Sequence, residues 1–292
     1  MEDRTIGVTG ATGGLGGRVA ARLADHGIPQ RLLVRDAARA PDLEHTEVAT
    51  FGGYDDGEGV RRALEGVDTL FLVSAAEDRD RVALHRRMVD AVVSAGVGRI
   101  VYTSFVGAAP DCTFTFGRDH FHTEEHIKAT GVGHTFLRDN LYLDFIPGLC
   151  PADGVIRGPA GDGRVAAVAR DDIADVAVQV LVGEGHDGQA YDLTGAEAFT
   201  LAEAAEELSR ASGRLITFED ETLEEARESR RPSGAADFEI EGWITSYAAI
   251  GAGDLEEVSD CVHRFLDRPP KRLGEWLREN PDSYRRLLQP AP

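Results

Sequence analysis

Short apolar runs alternate with amphipathic stretches over the first third of the chain. The apolar runs are rich in β-branched and aromatic residues, which predicts strands at 6–9, 32–34, 46–51, 68–73 and 99–103. The stretches between them repeat apolar residues at helical spacing, which predicts helices at 15–23, 60–64 and 81–95. Strands and helices that alternate at this rhythm indicate a parallel sheet with helices on both faces.

The later part of the chain mixes strands and helices less regularly. The pattern predicts a helix over 120–130, a strand over 133–138, a helix starting at Asp171, and strands at 190–193 and 215–218. Thr200 and Glu203 have the spacing of a capping box, which predicts a helix that ends at Ser212. The last seventy or so residues are mainly helical and acidic.

A glycine-rich turn joins the first predicted strand to the first predicted helix. Gly10 allows the chain to turn sharply, Gly13 leaves room for a pyrophosphate, and Gly16 lets the helix lie close to the strand. The exposed amides and the dipole at the start of the helix favour an anion. A strand, a glycine turn, a helix and a second strand in this order predict a dinucleotide-binding site rather than only a tight connection.

The residue at the end of the second strand separates the two nicotinamide cofactors. A carboxylate there binds the ribose 2′-hydroxyl of NAD(H), whereas an arginine attracts the 2′-phosphate of NADP(H). Arg35 ends this strand, with Arg39 one helical turn beyond it, and this favours NADP(H). Asp36 follows at once and keeps NAD(H) as the alternative.

These features predict an α/β protein, a doubly wound parallel-sheet Rossmann fold with a small α/β C-terminal substrate lobe. We assign residues 1–150 to the NAD(P)-binding domain, with returning segments from 165–195. Residues 196–292 form a mainly helical substrate lobe that is interleaved with the first domain.

Composition narrows the partners and the setting. The net charge of −20 opposes binding to nucleic acid or to an anionic membrane, and no apolar run reaches membrane-spanning length. Three widely separated cysteines form neither a disulfide framework nor a metal pattern, which predicts a reduced setting. Met1–Arg4 lack the features of a signal peptide, so we expect a cytoplasmic protein with a small-molecule substrate. A homo-oligomer stays open.

The ordered motifs resemble the NmrA-like, atypical branch of the short-chain dehydrogenase/reductase superfamily, and within it the quinone-oxidoreductase-like group. The matching stretches lie at 9–16, 33–36, 71–74, 100–104, 120–124, 135–142, 170–174, 191–195 and 243–251. Members of this family bind NADP(H), and the quinone-reducing members transfer hydride from it to a small acceptor. The resemblance therefore implies an NADPH-dependent reductase.

The resemblance also implies roles for individual residues. The pyrophosphate would be held by Gly10, Thr12, Gly13, Gly14, Leu15 and Gly16, and the 2′-phosphate by Arg35. The nicotinamide half would be lined by Val73, Ser74, Ala75, Thr103 and Ser104. Substrate would meet the loop of Asn140, Leu141 and Tyr142. The family often has an acidic residue before the loop tyrosine to bind adenine, but Gly53 precedes Tyr54 here, so any such contact must come from the backbone.

The tyrosine and lysine pair that ordinary members of the superfamily use for proton transfer is missing. The two lysines, Lys128 and Lys271, have no tyrosine four positions before them, and Phe116 and His120 stand at the place of the pair. A quinone needs hydride more than a strong acid. His120, which we expect to titrate near pH 7, could supply the proton or bind the nicotinamide ribose, or it could be a structural residue at a helix start.

Three histidines close together, at 120, 122 and 126, do not share one helix face, so we expect no metal site. The alternative to an enzyme is a regulatory protein of the NmrA type that binds NADP(H) without turnover and senses redox state, because the missing pair fits that role too. A nucleotide-sugar epimerase comes last, since it needs the tyrosine.

Overall fold

A computed structural model of the protein describes residues 5–288. Residues 1–4, where we expect no signal peptide, lie outside this range. The chain divides into two compact units. The first contains Met1–Pro110, Asp119–Arg138 and Arg170–Asp192, and the second contains Asp111–Arg118, Asp139–Ala169 and Leu193–Pro292. The assignment of cofactor to one part of the chain and substrate to the other stays a prediction.

The regular elements follow the chain in this order. The strands are β1 Ile6–Thr9, β2 Gln30–Val34, β3 Thr46–Thr50, β4 Thr69–Leu72, β5 Arg99–Phe105, β6 Gly133–Asp139, β7 Val155–Gly158, β8 Arg164–Val165, β9 Gln189–Leu193, β10 Phe199–Thr200 and β11 Thr217–Asp220. The helices are α1 Gly16–Asp25, α2 Gly57–Ala63, α3 Arg81–Ser94, α4 Thr115–Thr130, α5 Arg170–Val182, α6 Leu201–Ser212, α7 Leu223–Arg230, α8 Asp237–Gly251, α9 Cys261–Leu266 and α10 Leu273–Glu279.

The first unit is built on a seven-stranded sheet with the order β3-β2-β1-β4-β5-β6-β9. Strand β1 pairs in parallel with β2 on one side and with β4 on the other, so that Val8 lies opposite both Leu32 and Phe71. The β2–β3 and β4–β5 pairs are also parallel. Because the strand order reverses at β1, the crevice at the carboxyl ends of β1 and β4 is the switch point where open α/β sheets bind ligands. The predicted doubly wound fold is confirmed.

Fully buried aliphatic side chains hold the sheet and its helices together. Leu64, Leu70 and Met88 belong to one cluster that joins α2, α3 and the sheet. Val19 and Leu23, on the inner face of α1, are fully buried. Each such side chain contributes about 1.5–3 kcal/mol on burial, so these contacts set the position of the helices on the sheet.

Among the residues that the structure describes, the second unit contains two small sheets and the α-helices α6 to α10. Strands β7 and β11 pair in parallel, and β8 and β10 pair antiparallel. The predicted capping box is present, with Thr200 and Glu203 each bonding the other's backbone amide at the start of α6. Helices α7 and α8 pack through Ala226, Ile240 and Ile244. Within residues 5–288, every helix is too short or too polar to cross a bilayer.

Two predicted boundaries are wrong. Helix α4 begins at Thr115 rather than near His120, so this histidine lies within the helix and not at its start. Strand β11 covers Thr217–Asp220, two residues later than the predicted apolar run. Leu215, which the pattern placed in the strand, is 81% exposed. The pairing with β7 sets this register, and a local apolar run does not contain that information.

Replacement of Gly16 by alanine should destabilise the protein. A β-carbon at this first residue of α1 would lie 2.4 Å from the Gly10 carbonyl oxygen and 2.6 Å from that of Thr9. Backbone atoms cannot move aside cheaply, so we expect the free energy of unfolding to fall by about 1–3 kcal/mol in urea titrations. Gly57→Ala is the control, because Gly57 begins α2 and its β-carbon would be 3.9 Å from the Ala91 methyl. Equal stability of the two variants would contradict this prediction.

Candidate functional site

The glycine turn after β1 requires glycine for steric reasons. Gly10 has φ of 64°, and a β-carbon there would lie 3.1 Å from the β-carbon of Val73. The Gly13 amide donates to the Gly10 carbonyl at 2.8 Å and closes the turn. Helix α1 then begins without a side-chain cap, while Thr12, Gly13 and Gly14 are exposed. An uncapped helix start behind an exposed turn of small residues fits a diphosphate.

A cleft of about 450 Å³ opens beside this turn, within the first unit. It lies at the switch point of the sheet, where ligands bind in this fold. The predicted cofactor residues that line it are Gly10, Thr12, Arg35, Gly53, Tyr54, Val73, Ser74 and Ala75. These residues follow the carboxyl ends of four different strands, β1 to β4, and the fold brings them together.

The side chains at the end of β2 have separate roles. Arg35 is exposed and lines the cleft. The Asp36 carboxylate instead accepts a hydrogen bond from the Ala38 amide at 3.0 Å and caps the short 3₁₀ helix Ala37–Arg39. A carboxylate committed to that cap does not line the cleft, whereas the guanidinium does. This arrangement favours a 2′-phosphate over a free ribose hydroxyl.

Tyr54 connects three parts of the cleft wall. Its hydroxyl donates to the Val73 carbonyl and lies 3.1 Å from the Thr9 hydroxyl oxygen. Thr9 in turn accepts a hydrogen bond from the Val73 amide at 2.8 Å and donates to the Phe71 carbonyl. Burial raises the pKa of Tyr54 to about 12, so the phenol stays a hydrogen-bond donor at neutral pH. The ends of β1 and β4 are therefore tied to the loop after β3.

The segment after β4 is held by buried side chains. The Ser74 amide donates to the Thr103 hydroxyl at 2.8 Å, and the Ala75 amide donates to Nε2 of His85 at 2.8 Å. Nε of Arg81 donates to the Ala75 carbonyl at 3.0 Å. Both Arg81 and His85 belong to the buried face of α3. We did not predict either residue as part of the site.

A signal for these two residues exists in the sequence. Arg81 and His85 continue the helical spacing of Met88 and Val92, and all four are buried in the structure. The apolar residues at helical spacing within 81–95 predict the helix but do not by themselves indicate these two polar residues. Two polar residues in register with an apolar stripe would have indicated a buried polar contact.

His120 is buried, and the prediction that it titrates near pH 7 is wrong. Burial, together with the charge of Arg81, moves its pKa well below the usual value of 6.5. Nη2 of Arg81 donates to Nε2 of His120 at 3.3 Å, and Nδ1 of His120 lies 2.9 Å from the Tyr102 hydroxyl. The imidazole is thus neutral, and both of its nitrogens have protein partners. A catalytic role for His120 stays a prediction.

Thr103 and Ser104 lie at the buried end of β5. The Ser104 hydroxyl donates to Oε1 of Glu124 at 2.7 Å, and Glu124 also binds Arg138 through both of its oxygens. Leu15 and Gly16 are also buried, as parts of the turn. Thr103 and Ser104 thus bond to protein groups through their hydroxyls, and their contact with a cofactor stays a prediction.

The predicted substrate residues belong to the second unit. Asn140 is buried, its side-chain amide donates to the Leu255 carbonyl at 3.0 Å, and its side-chain oxygen accepts from the Leu141 amide. The Tyr142 hydroxyl donates to Asp139, and its ring lies 5.4 Å from that of Phe145. These bonds give Asn140 a structural role in this unit, while substrate binding by the three residues stays a prediction.

The described residues show no cluster of histidine, cysteine, aspartate and glutamate side chains that could hold a metal ion. The three cysteines are free thiols. What the first unit contains is a cleft lined by the glycine turn, by Arg35 and by the backbone segment Val73–Ala75.

Comparison with known proteins identifies the family. Residues 10–184 match the family described as NAD(P)H-binding. This chain belongs to that family. Two curated relatives match almost the whole chain. The NAD(P)H azoreductase of Xenophilus azovorans is 31% identical, over 95% of this chain and 98% of its own. A (4-alkanoyl-5-oxo-2,5-dihydrofuran-3-yl)methyl phosphate reductase of Streptomyces griseus is 34% identical over 95% and 98%.

Solved structures agree with this assignment. The NADPH-dependent quinone oxidoreductase of Escherichia coli, solved with NADPH, is similar with a TM-score of 0.85 and 30% identity, over 94% of this chain and 99% of its own. The negative transcriptional regulator NmrA in complex with NADP is similar with a TM-score of 0.75 and 17% identity, over 96% and 95%, which shows a shared fold. The predicted NmrA-like, quinone-oxidoreductase-like family is confirmed.

The buried histidines should make stability depend on pH. Burial lowers the pKa of His85 to about 3 and that of His120 well below 6.5, so only the unfolded chain takes up these protons below pH 6.5. The free energy of unfolding is therefore at its full value above pH 6.5 and falls as the pH drops, by about 1.4 kcal/mol per pH unit for each histidine. The free energy of unfolding, measured in urea titrations between pH 6.5 and 4.5, should fall less steeply with decreasing pH in His85→Gln than in the wild type. The same pH dependence in both proteins would contradict the lowered pKa of His85.

Proposed function

We propose that this protein is an NADPH-dependent reductase that transfers hydride to a quinone or to a related electron-poor, conjugated acceptor. The observation that carries this proposal is the pairing of a dinucleotide cleft with a neutral His120 whose two nitrogens both have protein partners. Such a site supports hydride transfer without an acid and base relay. The named activities of the relatives, on azo compounds, a dihydrofuranone and quinones, support the same class.

The choice of NADPH rests on Arg35 and Asp36, the two residues that follow β2. Arg35 lines the cleft and presents a fixed positive charge, which suits a 2′-phosphate. The glycine turn would hold the diphosphate through the amides at the start of α1. Gly53 and Tyr54 would contact the adenine end through the backbone, and Val73 to Ala75 would line the nicotinamide end. NAD(H) is the less suitable cofactor because Asp36 caps the following turn.

Bound NADPH would supply the hydride, and the chain would orient the cofactor. Reduction of a quinone to a hydroquinone takes one hydride and one proton. The ordinary tyrosine and lysine pair is missing, and Nε2 of His120 accepts a hydrogen bond from Arg81. We therefore propose that water donates the proton. The quinone oxygen becomes basic only after the hydride has been transferred, so a strong acid is not needed. A simple ketone would need the acid earlier, so it is a poor substrate.

The setting of the protein is also part of this proposal. A net charge of −20 and three free cysteines support a cytoplasmic protein that acts on a small molecule and binds no nucleic acid. The second unit would provide the substrate pocket through Asn140, Leu141 and Tyr142.

The second candidate is a regulatory protein that binds NADP(H) without turnover. The missing tyrosine and lysine pair and the fold shared with NmrA support it. Turnover separates the two candidates. Purified protein is mixed with NADPH and a panel of benzoquinones, naphthoquinones and azo dyes, and the nicotinamide absorbance is followed. Consumption of NADPH with at least one acceptor supports the reductase, whereas binding without consumption across the panel supports the regulator.

Replacement of Arg35 by alanine should weaken NADPH binding and leave NADH binding almost unchanged. Loss of a charge-assisted contact to a phosphate costs about 1.5–3 kcal/mol, so we expect the Kd of NADPH to rise about 10- to 100-fold in calorimetric titrations. Arg39→Ala is the matched control, because Arg39 is exposed nearby and does not line the cleft. If Arg35→Ala weakened the binding of NADPH and NADH equally, the assignment of NADPH as the preferred cofactor would be wrong.

The rate of hydride transfer should not follow the titration of His120. Burial keeps this imidazole neutral throughout the neutral range, since its pKa lies well below 6.5. We expect kcat for a quinone without ionisable groups to be flat between about pH 6 and 8. An inflection near pH 6.5 that disappears in His120→Gln would show that the imidazole donates the proton.

A further inference from the structure

The segment Val73–Ala75 forms one wall of the cleft, but it belongs to no strand or helix. Strand β4 ends at Leu72 and helix α3 begins at Arg81. Outside regular structure, neighbouring backbone does not fix a peptide, so its position depends on the side chains that bind it. Those side chains here are Tyr54 and Thr9 for Val73, Thr103 for Ser74, and the pair Arg81 and His85 for Ala75.

Ala75 is held at both of its polar groups by two residues one helical turn apart. Its amide donates to Nε2 of His85, and its carbonyl accepts from Nε of Arg81. His85 is fully buried and Arg81 is 6% exposed, so water does not compete for these contacts. Hydrogen bonds in such a place are stronger than at the surface, and a lost partner leaves a buried polar group unsatisfied.

The hydrogen bonds fix the proton positions on both histidines. Because Nε2 of His85 accepts from an amide, the ring proton is on Nδ1, which donates to the Thr123 hydroxyl at 2.8 Å. Because Arg81 can only donate, Nε2 of His120 accepts, and Nδ1 of His120 donates to Tyr102. Every bond in this buried group has a defined direction, and this requires both rings to be neutral. Their lowered pKa values agree with it.

His120 therefore accepts a hydrogen bond from Arg81 and restricts the orientation of its guanidinium. The guanidinium binds the Ala75 carbonyl with one edge and the His120 ring with another, while Asp119 lies 3.7 Å from its Nη1. An arginine with several fixed partners has little freedom to rotate. The Nε–H group of Arg81, which donates to the Ala75 carbonyl, is therefore held in one orientation.

We propose that Arg81 and His85 are positioning residues for hydride transfer, because together they fix the Ala75 peptide as the rigid wall beside the nicotinamide half of the cofactor. The proposal rests on the proposed function and on the nicotinamide half lying at Val73–Ala75. Hydride transfer needs the reacting atoms about 3–3.5 Å apart, and a misplacement of about 1 Å can cost about a hundredfold in rate. A loosened wall would let the nicotinamide ring shift or turn over.

The test compares two substitutions of His85. His85→Gln keeps an oxygen that can accept from the Ala75 amide and a nitrogen that can donate to Thr123, whereas His85→Leu keeps similar bulk and removes both. His126→Leu is the matched control, since His126 also bridges α3 and α4, through Asp90, away from Ala75. Urea titrations identify any variant that fails to fold, and His85→Gln then carries the test against the wild type.

Three quantities are measured on each folded variant. These are the Kd of NADPH, the Kd of 2′,5′-ADP, and the side of the nicotinamide ring from which hydride leaves, followed with NADPH deuterated at either position of carbon 4. For His85→Leu we expect about tenfold weaker NADPH binding, unchanged 2′,5′-ADP binding, and transfer from both sides of the ring. His85→Gln should restore one-sided transfer, and His126→Leu should match the wild type.

Two results would overturn the proposal. In one, His85→Leu keeps one-sided transfer and NADPH affinity. In the other, His85→Leu weakens the binding of NADPH and of 2′,5′-ADP equally, which would indicate a general structural role for His85. If the wild type fails to oxidise NADPH with every acceptor of the panel, the proposed function is wrong, independently of the role of His85. The comparison of NADPH with 2′,5′-ADP then still decides whether His85 serves the nicotinamide half.

Discussion

The close approach of α1 to β1 is the constraint on which the rest of the site depends. The carbonyl oxygens of Thr9 and Gly10 occupy the space that a side chain at residue 16 would need. Because the helix can lie this near, its uncapped start faces the switch point of the sheet. The uncapped helix start, which we propose as the diphosphate site, is thus a consequence of backbone packing, and the side chains of the turn contribute only by being small.

The rest of the cleft is held in a different way. Val73–Ala75, after β4, belong to no strand, and side chains from β1, β5, α3 and the loop after β3 hold them in place. This gives a wall that is fixed without being part of the sheet. It also explains why a strongly polar group of residues lies inside the unit, because each member satisfies a neighbour and none can be lost without leaving an unpaired group.

The same group of residues limits the chemistry of the site. Burial, together with the charge of Arg81, lowers the pKa of both His85 and His120, so both rings are neutral near pH 7. Charge near the reacting atoms would then come from the cofactor and the acceptor. An acceptor with a conjugated, electron-poor system suits this environment, since it spreads the incoming charge by itself before a proton arrives.

The sequence by itself determined the opening turn, the strand and helix order, the α6 capping box and the position of Arg35, which lines the cleft. These features depend on local spacing and on residue types with one steric role. Only the tertiary structure decided that Asp36 caps a turn, that β11 starts late, that His120 is sealed and neutral, and that Arg81 and His85 hold Ala75. The contacts of His120 with Arg81 and Tyr102 and the register of β11 against β7 depend on residues distant in sequence, and no local pattern contains them.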